Sequence, residues 1–285
     1  MKDHSDLIGK TIHESVSQIE LRDTLIYALS LGFGADPLDS KQLPYVYEDG
    51  GQPLPGMAMI VNYPGFWMKE ESYGFEWQKV LHAEEFIEIH CPLPIKGKIY
   101  GKTVVEDVVD RGPDKGCFVY SKKDLYSADK TTHYATVTSN TLARGDGGFG
   151  GNSTPRKAMP APPDRKPDAV CDLPTLPHAA LLYRLNGDMN PLHADPDIAT
   201  SAGFSAPILH GRCTLGVAMH ALIRSCCDYQ AHRLTSLGVR FSAPFMPGET
   251  LRTEIWREGS KIQFRASSVE RNVLVLNNGN ADNHL

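Results

Sequence analysis

Two acids, two amides and a histidine share one short bend at residues 183–196, which reads YRLNGDMNPLHADP. Asp188 follows a glycine, which accepts a positive φ, and Pro191 disfavours helix at Asn190. Asp188, Asn190 and His193 are therefore predicted to lie on an irregular loop. A carboxylate and an imidazole five residues apart on such a loop can contact one water molecule, as general acid–base chemistry near neutral pH requires. The alternative is a plain tight turn, in which Asp188 and Asn190 bond only to backbone amides and His193 packs beside them.

A second place where chemistry is predicted is the segment APILHGRCTLG, residues 206–216, where an apolar strand ends and a helix begins. The first N–H groups of a helix have no partner within the helix and carry the positive end of its dipole, so they can hold a developing oxyanion. Gly211 would let a carbonyl approach the main chain closely, although it could equally serve only the turn. His210 is predicted to stabilise that turn rather than to act as a second base. No metal site is predicted, because His193 and His210 lack zinc-ligand spacing.

The elements that must position these residues fall into two similar parts. A Gly- and Pro-rich segment, residues 142–168, separates a first half (residues 1–141) from a second half (residues 169–285). Its GGFGG motif lacks the strand and helix that flank a phosphate-binding loop, so a flexible linker is predicted.

Each half combines one helical segment with strands in the same order. The helical segments are LRDTLIYALSLG and GRCTLGVAMHALIRSCC, and each precedes a strand, a Pro-rich turn and a second strand. This repeat predicts an α+β protein of two units, in each of which a curved sheet wraps a helix. The two sheets are expected to pair or to pack face to face. A short helix, HAALLYRL, is predicted just before the bend with Leu181 and Leu182 facing inward, and Asp195 is predicted to cap the next helix.

Composition excludes several classes of function. The chain has 285 residues, 41% hydrophobic content and a formal net charge of -5, so it carries no basic surface typical of nucleic-acid binding. Neither a signal peptide nor a membrane-spanning segment of about 20 apolar residues is predicted. Six cysteines without CxxC spacing indicate reduced thiols in an intracellular compartment.

The bend resembles the signature of the MaoC-like, (R)-specific 2-enoyl-CoA hydratases, the hydratase-2 family: an aromatic residue, then GD-x-NP, an aliphatic residue and His. The matching residues are Tyr183, Gly187, Asp188, Asn190, Pro191, Leu192 and His193. The first half is similar to this family in RDTLIYALSLG, LPGMAMI and VLHAEEFIEIHCPLP, and the linker is similar to it in GGFGG. The resemblance covers nearly the whole chain and is to the two-domain eukaryotic form of peroxisomal β-oxidation, either free-standing or fused within multifunctional enzyme type 2.

The resemblance implies a double hot dog fold whose first half has lost its catalytic residues and accommodates a bulky acyl chain. It implies hydration of trans-2-enoyl-CoA to (3R)-3-hydroxyacyl-CoA, with no cofactor beyond the CoA of the substrate, by a homodimer. Asp188 and His193 would hold and activate water, Asn190 would orient the site, and the N–H of Gly211 would stabilise the thioester oxyanion. The residues implied in substrate binding are His82 and Ala83 at the thioester, Arg111 near the charged part of CoA, and Phe241 in the same site.

Three positions depart from the family pattern. Asn186 stands where Ser or Thr precedes the GD pair, and Ala83 stands where Gly is usual. Arg212 replaces a commonly apolar residue and is predicted to face solvent rather than the CoA phosphates. The C-terminal Asn283-His284-Leu285 resembles peroxisomal addresses of the SKL type, so the protein is expected in peroxisomes, or otherwise in the cytoplasm.

Two other functions remain open at this level. Hot dog proteins include acyl-CoA thioesterases, whose carboxylate directs water to the thioester carbonyl instead of the double bond. Paired hot dog halves can also lose activity and serve as acyl-CoA-binding modules. Release of free thiol without loss of enoyl absorbance would identify a thioesterase.

Overall fold

All the strands of the described residues belong to one antiparallel sheet. A computed structural model describes residues 2–154 and 156–284. The strands are β1 (Thr11–Ile19), β2 (Val80–Ile89), β3 (Gly97–Asp110), β4 (Cys117–Ser127), β5 (His133–Ala143), β6 (Ala169–Pro174), β7 (Leu234–Phe241), β8 (Thr250–Glu258), β9 (Lys261–Ser268) and β10 (Val273–Asn283). Their order across the sheet is β1-β3-β4-β5-β2-β7-β10-β9-β8-β6.

In the described residues, six α-helices lie against this sheet or in its connections. They are α1 (Leu21–Ser30), α2 (Leu43–Val46), α3 (Met57–Ile60), α4 (Ala179–Tyr183), α5 (Pro196–Ser201) and α6 (Gly211–Cys226). A capping box between Glu20 and Asp23 begins α1, and Gly32, with a φ of 82°, follows its end, as the sequence predicted.

The strand order shows the internal duplication directly. The first half has the order 1-3-4-5-2, and the second half repeats it as 6-8-9-10-7. The halves join where β2 pairs with β7, so the expected pairing of the two sheets is confirmed. Gly238 of β7 is needed at this seam, because a Cβ there would lie 2.4 Å from the ring of Phe86 on β2.

The expected correspondence between the two helices is wrong. The first helix after the first strand of each half is α1 in the first half and α4 in the second, so α1 corresponds to α4. The last α-helix before the joining strand is α3 in the first half and α6 in the second, so α3 corresponds to α6. The counterpart of the 16-residue α6 is therefore the four-residue α3. Helical periodicity identified the strongest helix of each half, but it could not show where each helix stands in the repeat.

One hydrophobic core spans both halves. It contains Tyr27 and Leu31 from the first half together with Met219 and Leu237 from the second. Helix α6 lies inside this core, and its residues 213–223 are all buried. The end of α1 covers it, since a Cβ on Gly216 would lie 2.4 Å from Leu31.

The segment between β5 and β6 has no helix or strand among its described residues, and several of its groups bond to the rest of the protein. The N–H groups of Gly148 and Gly150 each donate to the carboxylate of Asp110 at 2.7 Å. Further along, the carbonyl of Met159 accepts from the Asn278 side chain at 3.0 Å. The domain boundaries at residues 141/142 and 168/169 stay predictions.

All six cysteines are free thiols, as expected. No helix in the described part of the chain combines the length and the apolar content needed to cross a membrane. Of the C-terminal tripeptide, Leu285 lies outside the described residues.

Candidate active site

The polar bend has the predicted local geometry. Gly187 ends the helical turn after α4 with a φ of 109°. The side chain of Asn190 accepts the N–H of Leu192 at 3.1 Å, which fixes the turn through Pro191. The predicted cap of α5 is confirmed, since Asp195 accepts from two N–H groups of its first turn.

One detail of the helix before the bend is wrong. Leu181, which was expected to face inward, is 50% exposed, whereas Tyr183 is fully buried. The helix is only one turn long, and the small residues Ala179 and Ala180 occupy its inner face with Tyr183. Periodicity placed the bulky leucines inward because it could not anticipate an inner face built from alanines.

The fold brings together an acid and two histidines. Asp188, His193 and His210 each offer one carboxylate oxygen or ring nitrogen, and these atoms lie within 4.8 Å of one another. The two imidazole rings are stacked with centroids 3.8 Å apart. Asp188 Oδ1 also accepts the N–H of Asn190 at 3.3 Å, so Asp188 makes the contact expected of a plain turn in addition to joining this cluster.

Hydrogen bonds fix the tautomer of each imidazole. Nδ1 of His193 donates to the carbonyl oxygen of Ile208 at 2.8 Å, so its Nε2 carries the free lone pair. Nε2 of His210 donates to the carbonyl oxygen of Asp188 at 3.1 Å. His210 thus stabilises the bend, as predicted. Its Nδ1 is buried and has no hydrogen-bond partner among the described residues, so each imidazole keeps one unprotonated ring nitrogen.

Burial keeps both imidazoles neutral near pH 7. It lowers the pKa of His193, and burial together with the neighbouring His193 lowers the pKa of His210 to about 4. A neutral imidazole with a free Nε2 can take a proton from water, which is the requirement for a general base.

The same three groups are close enough to hold a metal ion. Sequence spacing could not show this, because His210 reaches the cluster from a separate segment. One ring nitrogen of His210 is already bonded to the Asp188 carbonyl. The absence of a metal therefore stays a prediction to be tested.

Gly211 lies at the first position of α6, beside two of the predicted substrate-binding residues. No side chain among the described residues caps this end of α6, so the N–H of Gly211 points outward. A Cβ on Gly211 would lie 3.1 Å from the ring of Phe241, and that ring is 4.6 Å from the ring of His82. The seam between β2 and β7 thus brings His82, Phe241 and Gly211 together. Ala83 lies beside His82, at a bulge in the pairing of β2 with β5.

Arg111 lies apart from this group. It directly follows Asp110, the last residue of β3. The strands β4 and β5 lie between β3 and β2, and across them Asp110 is level with Val80, the first residue of β2. Three strand spacings separate β3 from β2, roughly 14 Å. Arg111 is exposed, with its guanidinium 4.5 Å from the ring of Phe118.

The prediction that Arg212 faces solvent is wrong. Its side chain is 14% exposed and forms an ion pair with Glu85 at 3.0 Å. The guanidinium also lies 4.5 Å from the ring of Tyr63. Burial alone would raise the pKa of Glu85, but Arg212, His82 and Ser139 hold it at about 2.

Glu85 and Tyr63 were missed by the sequence reasoning. Glu85 shares the inward face of β2 with Ile87, and both residues are fully buried. A carboxylate at an inward strand position requires a buried cation nearby. The unusual Arg212 was the signal that could have supplied that partner.

Two domain-family profiles match the chain. The "MFE-2 hydratase 2 N-terminal domain" matches residues 18–145, and the "MaoC like domain" matches residues 158–279. The chain is 36% identical to the peroxisomal enoyl-CoA hydratase 2 of Arabidopsis thaliana, across 95% of this chain and 92% of that protein. It is 37% identical to the peroxisomal multifunctional enzyme type 2 of Mus musculus, across 98% of this chain.

The mouse protein is much longer, and the chain spans 38% of its length. Among solved structures, a MaoC-like dehydratase from Phytophthora capsici superposes with a TM-score of 0.84 and 31% identity. That likeness covers 98% of this chain and 97% of the other.

Proposed function

Because the chain belongs to the MaoC-like hydratase 2 family, with an MFE-2 hydratase 2 N-terminal domain, we propose that it hydrates trans-2-enoyl-CoA to (3R)-3-hydroxyacyl-CoA. The chain is a hydro-lyase with the double hot dog fold. The observation that carries the proposal is the cluster of Asp188 and His193 beside the uncapped start of α6.

In the proposed reaction, Asp188 and His193 hold one water molecule between the carboxylate and the free Nε2. The water oxygen is added to C3 of the enoyl group, and a proton is returned to C2. Asn190 keeps the bend in shape through its bond to Leu192. Since both catalytic side chains lie in the second half, the first half supplies no acid or base.

Addition at C3 places negative charge on the thioester oxygen. The outward N–H of Gly211 would donate to that oxygen, aided by the positive end of the 16-residue α6. Removing one such donor typically costs about 3–4 kcal/mol, or two to three orders of magnitude in rate.

The proposed substrate contacts divide into two groups. His82, Ala83 and Phe241 lie beside Gly211 and would surround the thioester. Arg111, about three strand spacings away, would reach only a distant, charged part of CoA.

Turnover of a chain-length series of trans-2-enoyl-CoA substrates tests the proposal. Enoyl absorbance should fall without release of free thiol, and chiral analysis should find the (3R) product. Free thiol release with constant enoyl absorbance would instead identify a thioesterase. Binding of the substrate without any turnover would identify a non-catalytic acyl-CoA module.

We further propose that the protein acts in peroxisomal fatty-acid β-oxidation, because relatives from mouse and Arabidopsis are named peroxisomal. Localisation of a tagged chain with and without its last three residues tests this proposal. A homodimer is also proposed, and light scattering of the purified protein would measure its mass.

A further inference from the structure

A buried ion pair connects the two halves beside the proposed oxyanion donor. Glu85 lies on β2 of the first half and is fully buried, and Arg212 is the second residue of α6. Nε of Arg212 donates to Glu85 Oε1 at 3.1 Å, and the hydroxyl of Ser139 donates to Glu85 Oε2 at 2.8 Å. The carboxylate is therefore held from both the second half and the neighbouring β5.

Arg212 is the counter-ion that Glu85 requires. Lys123 of the first half is also buried, but its Nζ donates to the carbonyl oxygens of Met59 and Val61, at 3.1 and 2.6 Å. Since Lys123 is bonded to these carbonyls, Arg212 supplies the direct charge partner of Glu85.

The pair also completes a closed series of contacts that begins and ends at Gly211. Gly211 packs on Phe241, whose ring lies 4.6 Å from that of His82. Nε2 of His82 lies 2.5 Å from Glu85 Oε2, and Glu85 binds Arg212. Arg212 follows Gly211 in the chain, so this series of contacts leads back to Gly211.

We propose that Glu85 and Arg212 are positioning residues that hold the Gly211 N–H and His82 in the geometry the thioester requires. This inference rests on the proposed function. A shift of about 1 Å at a reacting group can cost about 100-fold in rate, so fixing these two groups has a direct effect on turnover. Because one partner comes from each half, the first half would support the chemistry without supplying an acid or base.

The same seam offers a matched control pair. Glu84 and Arg240 face each other across β2 and β7 and form an ion pair at 2.7 Å. Their side chains are 20% and 45% exposed, so the pair lies at the surface. It joins the two halves through β2 and β7 and makes no hydrogen bond or ion pair to Gly211 or His82 in the described part of the chain. Exposed pairs of this kind contribute little to stability.

The test replaces each pair by leucines and measures Tm, kcat and KM. Arg212→Leu alone leaves a buried carboxylate unpaired and should lower Tm by roughly 10 °C. Glu85→Leu/Arg212→Leu removes both charges and should regain most of that loss. Its kcat should still be at least about 10-fold below that of the wild type, with KM changed by less than about 3-fold.

The control Glu84→Leu/Arg240→Leu should keep wild-type kcat and KM. A Glu85→Leu/Arg212→Leu protein with wild-type kcat would overturn the positioning role and leave the pair as a structural link only.

If that variant does not fold, Ser139→Ala takes its place, since it removes one bond to Glu85 and leaves both charges. Ser139→Ala should reduce kcat by about 2- to 5-fold while lowering Tm by only a few degrees, and an unchanged kcat would overturn the proposal. Absence of hydration by the wild type would refute the proposed function instead.

Discussion

The two halves share one strand order but differ at the place where chemistry is proposed. In the second half, Asn190-Pro191 follows Asp188 and precedes His193, and Asn190 accepts the N–H of Leu192 at 3.1 Å. In the first half, residues 34–39 read GADPLD, and Asp36 accepts the N–H of Leu38 at 3.0 Å. The same turn thus exists in both halves, but the first half has Gly34 at the position of Asp188 and Asp39 at the position of His193.

The helices after these turns differ in the same way. The N–H of Gly211 at the start of α6 meets no capping side chain among the described residues. Its counterpart, Gly56, precedes the one-turn α3, and its N–H donates to the sulfur of Met219 at 3.2 Å. Both halves therefore share an Asx-Pro turn and a glycine, which the fold needs. Among the described residues, only the second half has the groups that the proposed reaction needs, which are Asp188, His193 and the free N–H of Gly211.

The largest effect is expected from breaking the acid–base pair. Asp188→Asn removes the carboxylate, and His193→Ala removes the free Nε2, so each should lower kcat by a factor of about 100 or more. Circular dichroism and Tm should show folded proteins. Near-normal hydration by either variant would show that the second half does not act through this pair.

The next effect concerns the Gly211 N–H. Proline is tolerated at the first position of a helix, and the preceding His210 already has the extended φ and ψ of -59° and 136° that a following proline favours. Gly211→Pro should therefore keep α6 while removing the donor, and kcat should fall about 100- to 1000-fold.

Gly211→Ala is the matched control for the added bulk. Its Cβ would lie 3.1 Å from the ring of Phe241, as a proline Cβ would, but the N–H remains. Comparable losses in the two variants would assign the effect to crowding against Phe241 and would contradict the oxyanion role.

A smaller effect is expected at the contact between halves made by His220. Nδ1 of His220 donates to the carbonyl oxygen of Leu31 at 3.1 Å, and burial lowers its pKa to about 4. The unfolded chain, with a His pKa near 6.5, binds the proton first on acidification. Stability from this group is therefore full above about pH 6.5 and falls as the pH drops towards 4, by about 3 kcal/mol.

Denaturant unfolding of the wild type and His220→Gln between pH 7 and pH 4 measures this difference. The variant should lose less free energy of unfolding over that range. If the free energy of unfolding changes equally with pH in the two proteins, burial does not lower the pKa of His220, and this prediction is contradicted.

The smallest effect is expected at the first-half turn. Asp36→Ala removes the bond to the Leu38 N–H and should lower the free energy of unfolding by about 1 kcal/mol. Since this turn carries no acid–base pair, kcat should not change. A loss of activity at normal stability would give the first half a direct part in the reaction.

The sequence predicted the duplication, the strand order around each Pro-rich turn and the bend at Asp188, because each depends on local patterns. It could not predict that α3 is the counterpart of α6, since position in the repeat is a property of the whole fold. It also placed Arg212 in solvent, because its buried partner Glu85 lies on a distant strand. Likewise, His210 joins Asp188 and His193 only through tertiary packing.

The most direct test compares equivalent positions of the two turns. His193 and Asp39 both follow a Pro-Leu pair, and the carboxylate of Asp39 accepts from the N–H of Lys41 and from the side chain of Gln42. Initial rates of trans-2-enoyl-CoA hydration should fall about 100-fold or more in His193→Ala and stay at the wild-type level in Asp39→Ala, with (3R) product throughout. Equal rates in the two variants, or a (3S) product, would contradict the assignment of the chemistry to the second half.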